Sequence, residues 1–136
     1  ERVHGGKHLG RLIEAALEGK LAKTKADWDP RPAVGVVMAA GGYPNEYRKG
    51  DAITGLPPVG APSGATPPTS KVFHAGTGRN ERDQIVTRGG RVLCVVGTGD
   101  TVKAAQAEAY RVVDQIKFEG ALYRHDIGYR AIARGL

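Results

Sequence analysis

Between Ala33 and Ala40 the chain reads Ala33-Val34-Gly35-Val36-Val37-Met38-Ala39-Ala40, with no polar side chain. The run is far short of the roughly 20 residues that span a bilayer. It lacks polar/apolar alternation, so it reads as a β-strand buried on both faces. Its borders are sharp. Asp29-Pro30-Arg31-Pro32 precedes it, and two prolines so close stop any helix and favour an extended entry. Gly41-Gly42-Tyr43-Pro44 follows and dictates a turn. A chain of 136 residues is one ordinary domain, too short for two full-sized ones. Gly (20) and Pro (8) make up about a fifth of the residues, which favours a loop-rich fold over a helical bundle.

The covers are legible. Lys71–Ala75, Gln84–Arg88 and Arg91–Val96 read as strands, and Gly89-Gly90 between the last two is a two-residue hairpin signal. Ile53 and Leu56 predict a short strand near 52–56. Val102, Ala105, Ala109, Val112, Val113 and Ile116 recur at three and four residues, which predicts a long helix capped by Asp100 or Thr101, with Gly120 just beyond its end. An N-terminal helix over 7–19 carries Leu9, Leu12, Ile13, Ala16 and Leu17 on one face and Gly19 as C-cap. Residues 57–70 hold five of the eight prolines and no apolar period, so they form a loop. The tail 121–133 has no clean period and room for a strand, a turn and a last helical turn. The expected class is α+β: about four strands in hairpin-like succession on one long helix. Connections too short for crossovers make the sheet largely antiparallel.

Several chemistries drop out. Net charge is +6, but the Lys and Arg residues are scattered, and five Tyr, two Phe and one Trp do not interleave with them; nucleic acid is an unlikely partner. Cys94, the single cysteine, excludes an internal disulfide framework and a cysteine-based zinc cage, and inside a strand it reads as a small hydrophobe. The polar start lacks a signal peptide's apolar stretch, no membrane association is expected, and a cytoplasmic location is the default. Met38 is the only methionine, so the chain is expected either to have lost its initiator or to be a piece of something longer. Gly97-Thr98-Gly99 stands between strand and helix like a dinucleotide fingerprint. However, Val102 replaces the third glycine, and Asp100 puts a carboxylate where a pyrophosphate needs bare amides. His4 and His8 are four apart without the Glu of a zinc-protease helix, so no metal site is expected. Ser63 and Ser70 lie in the Pro-rich loop, outside any nucleophile elbow.

Two polar segments remain as candidate binding sites. In the first, Gly41, Gly42, Tyr43, Lys49, Gly50 and Asp51 follow the buried strand; glycines permit close backbone approach to a ligand, and the cations suit a carboxylate or phosphate. The second carries Arg124, Asp126 and Arg130; two arginines can clamp a phosphate, with Asp126 orienting one of them. The plain alternatives are a solvated β-turn and a surface ion-pair cluster.

Asp29–Asp51, Lys71–Thr77, Gly89–Val95 and Tyr123–Ala131 resemble, in order, four blocks of the C-terminal domain of the phosphoribosylamine–glycine ligases, members of the ATP-grasp superfamily. The resemblance implies a barrel-like β unit with packed helices, similar to the biotin carboxylase C-terminal domain and to a rudiment single hybrid motif. It also implies a reaction, the ATP-dependent joining of glycine to 5-phosphoribosylamine in de novo purine synthesis, with ADP and phosphate released. ATP and magnesium would be held by the ATP-grasp region outside this chain, so the chain alone is expected to be inactive, with no catalytic residue of its own. Residues 1–28 would be the end of the ATP-grasp region and 29–136 the C-terminal domain. Gly41, Gly42, Tyr43, Lys49, Gly50 and Asp51, with Arg124, Asp126 and Arg130, would then face glycine and 5-phosphoribosylamine, the two segments converging on one cleft wall. The other function classes are a phosphate- or RNA-binding module derived from that domain, and an interaction domain using the N-terminal helix.

Overall fold

The computed structural model describes residues 7–26, 28–58 and 69–135. His4, and with it the His4–His8 pair, Ser63 and most of the Pro-rich stretch lie outside the described residues. The chain divides into two compact units, Glu1–Arg31 and Pro32–Leu136. In the first, α1 (Lys7–Leu17) is followed by a 3-10 turn, Leu21–Lys23. Gly19 ends the helix in a left-handed conformation (φ +68°), and Lys20 N–H closes onto the Ala15 carbonyl at 2.7 Å. No helix among the described residues is long and apolar enough to cross a membrane.

The second unit is built on β5. The strands are β1 (Ala33–Ala39), β2 (Ser70–His74), β3 (Thr77–Arg79), β4 (Ile85–Thr87) and β5 (Arg91–Thr98). β5 lies between β1 and β2, antiparallel to both, and β3 pairs antiparallel with β4 in a separate two-stranded sheet. This is the α+β, antiparallel class expected, in the form of two small sheets. Alternation puts Val36, Val95 and Val72 in one cross-strand row on the inner face. α2 (Val102–Val113) covers that face with Ala105, Ala109, Val112 and Val113, all buried. Thr101 caps α2, its hydroxyl accepting from Ala104 N–H at 3.1 Å. Gly97 lets strand and helix touch: a Cβ there would fall on the Ala105 carbonyl and the Ala109 amide.

Five expectations are corrected. β1 is not buried on both faces: Val34, Val36 and Met38 are buried, whereas Gly35 and Val37 on the other face are exposed, because α2 covers one side of the sheet only. Gly89-Gly90 is not a hairpin turn, because β4 and β5 belong to different sheets. Gly89 instead crosses Gly76, whose carbonyl accepts from both Arg88 and Gly89 N–H (2.8 and 3.0 Å), and the missing side chains permit the crossing. The succession of hairpins fails for the same reason: the last strand, not the first, is central. Residues 52–56 form isolated bridges, Ala52 to Val86 and Thr54 to Lys117, rather than a strand. α2 stops at Val113, and Ile116 reaches the core from a following turn. β3, Thr77-Gly78-Arg79, was invisible because it has no apolar residue.

The tail closes the open edge of β1. Leu122 bridges Ala39 in antiparallel sense. From there the chain runs back along α2, where the Tyr110 hydroxyl donates to the Arg124 carbonyl (2.6 Å) and accepts from Ile127 N–H (3.1 Å). Gln106 donates to the Ile127 carbonyl at 2.8 Å, Gly128 lies against Val34 and Val102, and α3 (Tyr129–Ala133) follows.

Glu108 ties α2 to the segment entering β2. Its carboxylate accepts two hydrogen bonds from Arg111 (both 2.8 Å) and one from the Thr69 hydroxyl (3.0 Å). These hold its pKa at about 2, below the usual 4.5, with Arg111 the largest cause. A folded-state pKa below the unfolded one contributes stability above pH 4.5 that is lost as pH falls toward 2. Glu108→Gln is expected to cost about 1 kcal/mol at pH 7 and to shrink that acid-side loss, read by chemical denaturation at pH 7 and pH 3.

Candidate functional site

The loop 41–51 is tied at both ends. Tyr43 N–H bonds the Ala40 carbonyl (3.1 Å) and Arg48 N–H the Gly41 carbonyl (3.0 Å). Gly41 packs on Gly120, to whose carbonyl oxygen a Cβ would come within 3.1 Å. Gly42 has φ +93°, and a Cβ on it would collide with the Glu46 carbonyl. At the far end Thr87, fully buried, holds the loop through three hydrogen bonds. Asp51 N–H donates to its hydroxyl (3.1 Å), Gly50 N–H to its carbonyl (2.7 Å), and Thr87 N–H to the Asp51 carbonyl (3.0 Å).

The charges are partly committed. Arg48 grips Asp51 with two hydrogen bonds, 2.7 and 3.2 Å, which lower the Asp51 pKa and raise that of Arg48. Asp51 is therefore a carboxylate paired with its neighbour, and the pair orders the loop. Lys49 makes no ion pair among the described residues; its ammonium lies 5.3 Å from the Tyr47 ring centroid. It is exposed, as is Arg48, but Arg48 is paired with Asp51.

The tail segment has its own shallow cavity of about 410 Å³, lined by Arg124, Asp126, Tyr129 and Arg130. Asp126 accepts two hydrogen bonds from Arg124 (2.8 and 2.9 Å), which lower its pKa. Arg130 donates to the Tyr129 hydroxyl at 2.9 Å, with its guanidinium over that ring. Asp126 thus orients Arg124, and Tyr129 orients Arg130.

The geometry does not bring the two segments together. Gly41 lies past the end of β1, whereas Gly128 lies beside Val34, near its start. Five residue steps of strand separate Val34 from Ala39, about 17 Å at about 3.3 Å per step. The cause is the antiparallel bridge at Leu122, which sends the tail back toward the start of β1. Another groove, of about 530 Å³, opens beside the first segment, where Tyr43 and Tyr47 face Arg91 and Cys94. Sequence reasoning passed over Tyr47 and Arg91 because only the fold puts them beside Tyr43. Among the described residues no group of three or more His, Cys, Asp or Glu is placed to hold a metal ion.

Residues 33–130 match the family model described as phosphoribosylglycinamide synthetase, C domain. The chain belongs to this family. The match includes both candidate segments of the phosphoribosylglycinamide synthetase C domain. The chain is 55% identical over 123 residues to phosphoribosylamine–glycine ligase of Pseudomonas aeruginosa, covering 90% of this chain and 27% of that protein. It is 53% identical over 127 residues to the ligase of Yersinia pestis, covering 93% of this chain and 28% of that protein. A crystal structure of phosphoribosylamine–glycine ligase from Thermotoga maritima superposes with a TM-score of 0.64 at 38% identity, over 85% of this chain and 27% of that one. The chain therefore spans little more than a quarter of the length of the relatives it matches.

Proposed function

We propose that this C domain is the substrate-side part of a phosphoribosylamine–glycine ligase acting in the cytoplasm in de novo purine synthesis. The observation that carries the reading is the extent of similarity: more than half of the residues are identical to the ligase of Pseudomonas aeruginosa over 90% of this chain. ATP and magnesium are held by the ATP-grasp portion that makes up the rest of such a ligase. There the glycine carboxylate oxygen takes the γ-phosphoryl group of ATP, whose bond to the bridging oxygen breaks, giving an acyl phosphate and ADP. The amine of 5-phosphoribosylamine forms the new C–N bond to that carbon, the C–O bond to phosphate breaks, and the nitrogen gives up a proton.

The residues of this chain supply charge and position. The ribosylamine phosphate and the glycine carboxylate are both anions, and Lys49 and the Arg124/Arg130 pair are the cations offered to them, each on a different patch. Gly41, Gly42, Tyr43, Gly50 and Asp51 shape and brace the first patch. Electrostatic stabilisation of a transferring phosphoryl group is the dominant catalytic contribution in such sites, and its metal and phosphate cradle lie elsewhere. The isolated chain is therefore inactive.

The test joins this chain in frame to the ATP-grasp portion of a related ligase lacking its own C domain. ADP release that requires both glycine and phosphoribosylamine is the expected result, with none from the chain alone. Lys49→Ala in the joined enzyme should raise KM for one of the two substrates about tenfold, the loss of one charge-assisted contact. A correctly folded joined protein without substrate-dependent ADP release would overturn the reading.

A further inference from the structure

Thr87, at the end of β4, is the one polar side chain that is buried among the described residues. Valine has nearly the same shape, suits a strand as well, and brings no buried polar atom that must find a partner. The hydroxyl is therefore explained by what it holds, the Asp51 N–H at 3.1 Å, 36 positions away in the sequence. The Thr87 carbonyl and N–H bond Gly50 and Asp51 at 2.7 and 3.0 Å, and any residue but proline at this position would supply those two. What threonine adds is a third bond at the junction of Gly50 and Asp51. That junction is bent: Gly50 has φ +86° with open space where a Cβ would stand, so its glycine answers the backbone alone. Lys49 is the next residue, and Arg48 is tied to the Asp51 carboxylate. The chain just after Thr87 grips the other end of the loop. The Gly90 carbonyl accepts from Ala40 N–H at 2.8 Å, and a Cβ on Gly90 would fall on the Tyr43 ring.

We infer that Thr87 is a positioning residue for the ligase reaction, its hydroxyl fixing where Lys49 presents its ammonium to an anionic substrate. The inference rests on the ligase reading above. The linkage runs through the chain. The hydroxyl places the Asp51 amide, and Asp51 and Gly50 place Lys49, whose ammonium lies 5.3 Å from the Tyr47 ring centroid. Asp51 carries Arg48 with it through two hydrogen bonds, so one buried hydroxyl sets both cations of the loop. Thr87 is buried and touches no substrate itself. A charge on a flexible four-carbon stem binds better when its backbone is fixed, because less freedom is lost on binding. A contact that binds rather than reacts is made equally in ground and transition states, so its loss shows in KM rather than in kcat.

The test uses the enzyme made by joining this chain in frame to the ATP-grasp portion of a related ligase. Thr87→Val should raise KM about three- to tenfold for the same substrate that Lys49→Ala affects, with kcat within about twofold of the parent. Thr87→Ser, which keeps the hydroxyl, should restore that KM. The double variant Thr87→Val with Lys49→Ala should match Lys49→Ala alone within about twofold, since Thr87 acts through Lys49. In the isolated chain the Asp51 amide should exchange with solvent at least about tenfold faster in Thr87→Val than in the wild type or in Thr87→Ser. Gly50→Ala is the second variant, for the case that Thr87→Val does not fold. It strains the same junction at an exposed position, and it should raise the same KM. A Thr87 that serves stability alone gives a lower melting temperature and less active enzyme, with both KM values unchanged. That result overturns the inference and leaves the ligase reading intact. Full multiplication of the two single effects in the double variant does the same. A parent joined enzyme without substrate-dependent ADP release is a separate failure, that of the ligase reading, and the role of Thr87 falls with it.

Discussion

Gly97→Val is expected to abolish the native fold of the second unit. Gly97 belongs to the central strand β5 and faces α2, with the space for a Cβ already filled by the Ala105 carbonyl and the Ala109 amide. Both obstacles are backbone, so no rotamer change relieves them; the helix must move off the sheet. That would open the packing of Ala105, Ala109, Val112 and Val113 against Val36 and Val95, all buried residues. Displacing a whole helix belongs with the severest substitutions, above about 4 kcal/mol, against a total stability for such domains of about 5–15 kcal/mol. Loss of the cooperative thermal transition and of near-ultraviolet dichroism is the expected readout. Gly97→Ala should follow in a milder form, with Tm lower by about 10 °C or more. A Gly97→Val protein that melts like the wild type would mean that α2 does not lie against β5 as described.

The same glycine illustrates what a sequence does and does not disclose. The strand–turn–helix passage around Gly97-Thr98-Gly99 was readable because polarity, cap chemistry and apolar period agree there, and Thr101 caps the helix. The strand at Ala33 was readable because it lacks polar residues altogether, but its exposure on one face, at Gly35 and Val37, was not, because that depends on α2 covering only the other face. Which strands are neighbours was not readable. Gly89-Gly90 carries a hairpin's local chemistry, but its glycines serve a crossing with Gly76, a contact set by tertiary packing. β3 is polar and three residues long, and it exists because β4 offers it a partner. The candidate site was legible as two segments of suitable chemistry. Their separation was not, because it depends on one antiparallel bridge, Ala39 to Leu122. The pairing of Arg48 with Asp51 was likewise hidden: four consecutive ionic or glycine positions do not reveal which cation stays free, and the fold answers Lys49.

Gly42→Val is expected to do the reverse of Gly97→Val, sparing the fold and disabling the site. At φ +93° a β-branched residue is strained in any surroundings, and here its Cβ also meets the Glu46 carbonyl. The loop is exposed from Gly42 through Glu46, so the strain can discharge outward without disturbing the inner face of the sheet. Stability should fall by about 1–3 kcal/mol, while Gly50 and Asp51 stay anchored on Thr87 and the change remains between Gly41 and Lys49. Nuclear magnetic resonance of the isolated chain would locate it: amide shifts in the loop and around Gly90, where Tyr43 packs, with α2 unmoved. In the joined ligase a displacement of about 1 Å at a substrate-positioning group costs about 100-fold in rate, so activity should fall by that order while assembly persists. Arg130→Ala, on the distant tail patch, should leave the loop shifts untouched and alter KM for a single substrate. If Gly42→Val moves the loop and the joined enzyme still turns over at the wild-type rate, then Gly41 to Asp51 brace the domain, and the anion contacts belong to the tail.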